Sequence, residues 1–236
     1  MASLNPIPPI KIDVERLAPF GQEWLQNGGA LGRTPPLSSS DLGRVFDSAV
    51  AASLAAMLGG IPVVSPGAND LIPSQADCVE LGPVRVVGGV RPQNFDVGYR
   101  PDGVRFVFDS KTLNDAKSVG KNWQNMVNDL ATEATTVHTR FPHAIVAFLV
   151  IIPGPCLGGP TRSAMIGTLE RLSRRAALDG PAHMAEAISL LLWEPGTGEI
   201  DAHVPEPSSL LRIERFSEQI EMAYSGRYKG LPPHAG

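Results

Sequence analysis

The chain is poor in most of the residues that would have announced a function class. It has two cysteines, Cys78 and Cys156, far apart and with no Cys-x-x-Cys spacing. That excludes a disulfide framework and a thiolate metal site, and it fits buried thiols of a cytoplasmic protein. The five histidines are scattered; none forms a His-x-x-x-His zinc pair or an evident partner for a nucleophilic serine. No apolar run approaches the ~20 residues of a membrane-spanning helix, and no signal peptide is evident, so no membrane partner is expected. Positive charge is not in excess either. A net charge of −4 counts against an indiscriminate nucleic-acid binder.

What is present reads as one α/β domain over residues 1–236. Apolar residues make up 43% of the chain, and strand-like and helix-like periodicities alternate along it. The 22 prolines and 24 glycines concentrate in the first forty residues, in the 59–73 loop and in the last few residues, which predicts extended arms outside a folded core. Ser38 to Asp41 supply helix caps, and a helix follows over 42–58 with Phe46, Val50, Ser53, Leu54 and Met57 inward. Residues 84–90 form a strand. A helix runs from about 113 to 137, with Val119, Trp123, Met126, Val127, Leu130 and Ala134 inward. The continuous apolar run 144–152 predicts a strand buried on both faces. A helix over 161–177, a strand over 187–193 and a last helix over 209–224 complete the chain.

The most informative stretch is Asn94 to Lys111. Phe95, Val97 and Tyr99 alternate with Asp96 and Gly98; Val104, Phe106 and Phe108 alternate with Arg105, Val107 and Asp109. Asp102-Gly103 between the two runs suits a type I′ hairpin turn. That turn puts Tyr99 opposite Phe106 and Asp96 opposite Asp109, with Lys111 on the same face as Asp109. A bulged three-residue loop at Pro101 would move Asp96 out of line with Asp109. Like charges facing each other in a sheet are destabilising, so a divalent cation would give this hairpin a reason to exist. Two carboxylates suit magnesium, and a lysine beside them can hold a water or stabilise phosphoryl charge.

The run Phe95-Asp96-Val97-Gly98-Tyr99, the Pro101-Asp102-Gly103 turn and Val104 to Lys111 together resemble the PD-(D/E)XK nucleases of the restriction-endonuclease-like superfamily. The resemblance implies an αβββαβ core over about 40–195, a central mixed sheet flanked by helices. It implies Asp96 as first acid and Asp109-Ser110-Lys111 as the acid-x-Lys triplet, with Mg2+ on Asp96, Asp109 and the Ser110 carbonyl. It also offers Asp47 as an outer acid, and Lys121 and Gln124 as phosphate or water contacts. Glu80, ahead of the strand at 84–90, is a further candidate acid. A second acid-x-Lys triplet, Asp115-Ala116-Lys117, begins the next helix.

Between Arg85 and Lys121 seven basic residues face four aspartates; Arg100, Arg105, Lys117 and Lys121 are the candidate DNA contacts among them, joined by Gln124. Arg162, Arg171, Arg174 and Arg175 form a second basic group. A locally basic cleft in an acidic protein suits an enzyme that selects a site in double-stranded DNA. The resemblance thus implies a magnesium-dependent endonuclease, foremost a type II restriction enzyme. The alternatives are a structure-specific repair nuclease and a non-catalytic protein that binds DNA or a partner. Two-fold symmetric DNA sites would favour a homodimer.

Overall fold

In the computed structural model, which describes residues 4–233, one mixed sheet separates two layers of helices. The elements are α1 (Val14–Gln26), α2 (Ser39–Met57), β1 (Val63–Val64), β2 (Val79–Val87), β3 (Pro92–Tyr99), β4 (Phe106–Thr112), α3 (Val119–His138), β5 (Ile145–Pro153), α4 (Gly159–Leu172), β6 (Ala187–Trp193) and α5 (Ile213–Tyr228). The six strands lie in sequence order. β2, β3 and β4 form an antiparallel meander, while β1 joins β2, β5 joins β4 and β6 joins β5 in parallel. Parallel neighbours need a crossover, and α3 and α4 supply the two between β4, β5 and β6. Among the described residues no helix is long and apolar enough to cross a membrane.

The strand alternation decides which helix each strand residue meets. Ile145, Ala147, Leu149 and Ile151 pack with α1, α2 and α5, and Val146, Phe148, Val150 and Ile152 pack with α3 and α4. That double burial is why β5 reads as an unbroken apolar run. In β4, Phe106 and Phe108 face the α2 side and Val107 the α3 side. By the same alternation Ser110 faces α2, and Asp109 and Lys111 face α3.

Several boundaries differ from the sequence reading. The proline-rich N-terminal segment, expected as an arm, contains α1: Asp13 caps it by accepting from the Glu15 amide at 3.0 Å, and Leu17, Phe20 and Trp24 enter the core. The strand expected from residue 84 begins at Val79 and passes through Gly82-Pro83 as a bulge, two residues opposite one on β3. Gly82 there has φ +126°, which only glycine adopts readily. The residues before α3 form turns, so the helix starts at Val119. α4 stops at Leu172 because the chain turns away: Ser173 Oγ accepts from the Ile188 amide at 2.9 Å and the Arg175 amide bonds to the Ala185 carbonyl. The last helix is shifted to 213–228.

The hairpin register is Val97 to Phe108, Gly98 to Val107 and Tyr99 to Phe106, which keeps the expected pairing of Tyr99 with Phe106 although the turn expected to impose it is absent. The turn is not type I′. Gly103 has φ +122° but Asp102 keeps a negative φ, and residues 100–105 form an open loop closed by the Arg105 amide on the Tyr99 carbonyl at 3.0 Å.

Candidate active site

β3 and β4 pair over three residues and then part. β3 stays with β2 and β4 with β5, so the ladder stops just before Asp96 and Asp109. On the other side of Asp96 stands the Gly82-Pro83 bulge. Phe95 and Val97, two residues apart, lie in different cores, so β3 switches faces at Asp96. A bulge on one side and a splayed strand on the other leave Asp96 in an opening of the sheet. A cavity of about 560 Å³ fills that opening, lined among others by Asp47, Asp96, Asp109, Ser110, Lys111 and Gly82.

The acids are tied together. The Ser110 amide donates to Asp96 Oδ2 at 2.9 Å and the Ser110 hydroxyl to the same oxygen at 3.1 Å. The Ser110 hydroxyl and the Asp96 charge both act on the Asp47 carboxyl, and the Asp96 carboxyl also acts on Asp109. Gly43 makes this possible, since a Cβ at that helix position would lie 3.0 Å from Ser110 Oγ. α2 is held over β4 by its cap and by its neighbours. Ser38 and Asp41 form a capping box, and Asn114 Nδ2 donates to Ser39 Oγ at 2.7 Å. Asp47 comes inward because it shares the helical stripe of Gly43, Phe46, Val50 and Leu54.

Lys111 is clamped. Its ammonium donates to Asp109 and, at 2.7 Å, to Glu133 Oε1 on α3. Burial alone would lower the lysine pKa, but the charges of Asp109 and Glu133 outweigh it and hold Lys111 above its ordinary value. The acids are raised as well, which for a carboxyl favours the neutral form. Burial, then the Asp96 charge, pushes Asp47 up to about 8. Burial also raises Asp109, with Lys111 opposing and Asp96 adding to the rise. Four carboxylates around one ammonium leave the site short of positive charge. Asp47 Oδ1 is buried with no hydrogen-bond partner among the described residues, an orphan that a cation would satisfy. Among the described residues no group of three or more His, Cys, Asp or Glu side chains has metal-holding geometry. The acids meet as pairs, and a pair is enough for magnesium, which keeps most of its waters.

The structure thus brings Asp47, Asp96, Asp109, Ser110 and Lys111 to one cavity and leaves other candidates elsewhere. Glu80 is fully buried in a two-pronged ion pair, Arg100 Nε and Nη2 reaching its oxygens at 2.6 and 2.7 Å. Arg100 Nη1 also donates to the Arg85 carbonyl at 2.7 Å, so neither residue faces solvent or the cavity. Arg105 is buried too, on Asp102, on Tyr224 and on the Pro232 carbonyl. Both arginines are spent inside the protein, which corrects their reading as DNA contacts. Lys117, Lys121 and Gln124 are exposed at the approach to α3 and on its first turns. The Asp115-Ala116-Lys117 triplet closes its own turn through the Lys117 amide on Asp115. In the second basic group Arg175 is buried on Glu186 at 2.6 Å.

Glu133 was not foreseen. The signal was there: it falls on the apolar stripe of α3, seven residues after Met126 and three after Leu130. A carboxylate on an inward stripe demands a partner. No family model, curated protein or solved structure matches the chain.

Proposed function

We propose that the protein is a magnesium-dependent endonuclease of the restriction-endonuclease-like superfamily, hydrolysing phosphodiester bonds in double-stranded DNA as a type II restriction enzyme. The observation that carries this reading is the meeting of Asp96, Asp109 and Lys111 where β3 and β4 part. The order α2, β2, β3, β4, α3, β5 supports it, being the αβββαβ arrangement that the motif implies. A homodimer in the cytoplasm, acting on a two-fold symmetric site, is the setting that goes with it.

Asp96 and Asp109 would hold the magnesium, with the Ser110 carbonyl and Asp47 as its further oxygen donors. When bound, the ion polarises a phosphoryl oxygen and acidifies a water. Lys111 keeps its proton between two carboxylates, so its part is a fixed cation toward the phosphoryl oxygens rather than a base. Asp47, whose carboxyl is raised to about 8, can hold or release a proton near neutral pH. The exposed side chains of Lys117, Lys121 and Gln124 would meet phosphates that flank the cavity.

One observation favours a second reading, a nuclease specific for DNA structure. Part of the N-terminal segment that would serve base readout is helix α1, packed into the core. Supercoiled plasmid and branched duplexes, each with and without magnesium, test both. Discrete fragments support the restriction enzyme and cleavage confined to branch points the second reading. No cleavage of either substrate with magnesium or manganese would overturn both.

A further inference from the structure

Lys111 stands on a flexible stem, and a catalytic cation must stay where it is needed. Its ammonium has two anionic partners, Asp109 on its own strand and Glu133 across the layer on α3. Glu133 is 6% exposed and sits among Leu130, Ala134 and Val137. It does not line the cavity that Lys111 lines, and its Oε2 has no hydrogen-bond partner among the described residues. A helix that only had to pack would carry an apolar residue there, because a buried carboxylate is costly unless paired.

We propose that Glu133 is a positioning residue of this site, holding the Lys111 ammonium from behind so that it stays at the cavity while Asp109 is engaged by a cation. The proposal rests on the nuclease reading of the site. Asp109 cannot give its charge undivided to both Lys111 and a divalent ion, and such an ion repels the ammonium. Glu133, set off the cavity wall, is the anchor that remains.

The test uses the full chain with Glu133→Gln, which keeps the size and loses the charge, and Glu133→Asp, which keeps the charge and falls a methylene short. The first readout needs no nucleic acid: limited acetylation followed by peptide mass spectrometry, with exposed Lys117 and Lys121 as references. Lys111 should react about tenfold more slowly than the references in the native chain and severalfold faster in Glu133→Gln, the difference widening with magnesium. Equal Lys111 reactivity in the two chains overturns the clamp, whatever the protein cleaves. The second readout is single-turnover cleavage. Glu133→Gln should lose roughly tenfold to a hundredfold in rate with DNA affinity within about twofold, and Glu133→Asp should fall between. Glu133→Gln combined with Lys111→Ala should be no slower than Lys111→Ala alone; losses that multiply overturn action through Lys111. If the native chain cleaves nothing, the nuclease reading fails while acetylation still decides the clamp.

Discussion

The Ser110 backbone amide donates to the Asp96 carboxylate at 2.9 Å, at the step where Asp96 and Asp109 would have been the next rung between β3 and β4. A side chain thus takes the place of a ladder carbonyl. The two strands separate without stranding the amide, and the separation lets acids from both sides of the sheet meet in one cavity.

Loss of Asp109 should separate cleavage from binding. Asp109→Ala is expected to abolish cleavage and leave DNA affinity equal or higher, because it removes a ligand and a negative charge facing phosphate. Asp96→Asn should act similarly. Cleavage assays and gel shifts check this, and native cleavage that survives excess chelator would refute the magnesium requirement.

Asp47 makes a signed prediction about pH. Its folded pKa of about 8 lies above the ordinary 3.8, so between those values the folded state holds a proton that the unfolded chain has released. This contribution to stability is fully present below pH ~4, declines as pH rises and is gone above ~8. Glu186 has the opposite sign. Burial would raise it, but the His138 hydrogen bond and charge, with Arg227, overcome that and lower it, so its contribution is already complete above pH ~5. Melting without divalent ions should therefore show stability falling from pH 5 to 8. Asp47→Asn should flatten the fall, and magnesium should stabilise more at pH 8 than at pH 5. A native profile no steeper than that of Asp47→Asn would refute the shift.

Gly43 gives up helix propensity at the point where α2 approaches Ser110. Alanine is the better helix former by about 1 kcal/mol, yet its Cβ would lie 3.0 Å from Ser110 Oγ and displace the hydroxyl that joins Asp47 to Asp96. Gly43→Ala should keep or raise the melting temperature while lowering the cleavage rate. Unimpaired cleavage would show that Ser110 does not organise the acids.

Asp102 and Arg105 belong to the fold. Asp102→Asn weakens a pair whose arginine is buried and whose aspartate is largely exposed, so a loss of about 1 kcal/mol is expected. Arg105→Ala removes the bonds to Asp102, Tyr224 and Pro232 and should cost about 2 kcal/mol, because the charge it leaves on Asp102 is largely solvated. Urea unfolding measures both. An Asp102→Asn chain of native stability that has lost cleavage would make Asp102 a site acid after all.

The exposed cations should behave as phosphate contacts. Lys117→Ala and Lys121→Ala are each expected to weaken DNA binding by about 1 kcal/mol and to flatten its salt dependence, with the cleavage rate of bound DNA mostly kept. Lys111→Ala should instead lose about a hundredfold or more in that rate with little change in affinity. Salt titrations and single-turnover rates distinguish the two.

Local period was enough to read much of this molecule. The alternation of Val97 and Tyr99 against Phe106 and Phe108 restricted the strand register, because a slip of one residue would send every side chain to the wrong layer. The runs at 145–153 and 187–193 declared buried strands, and period with the expected turn brought Asp96, Asp109 and Lys111 together, whereas Asp47 was offered only by the family resemblance. The tertiary structure decided the partners of the buried charges. Arg100 meets Glu80 twenty residues away, Lys111 meets Glu133 across twenty-two, and Arg105 reaches Pro232 across 127. It also decided that β3 and β4 part after Val97, since that depends on the Gly82-Pro83 bulge in one neighbouring strand and on the hold of β5 on the other. A pattern along one strand reports which face a residue takes. What satisfies a charge on that face comes from another element, and only the packed layers bring the two together.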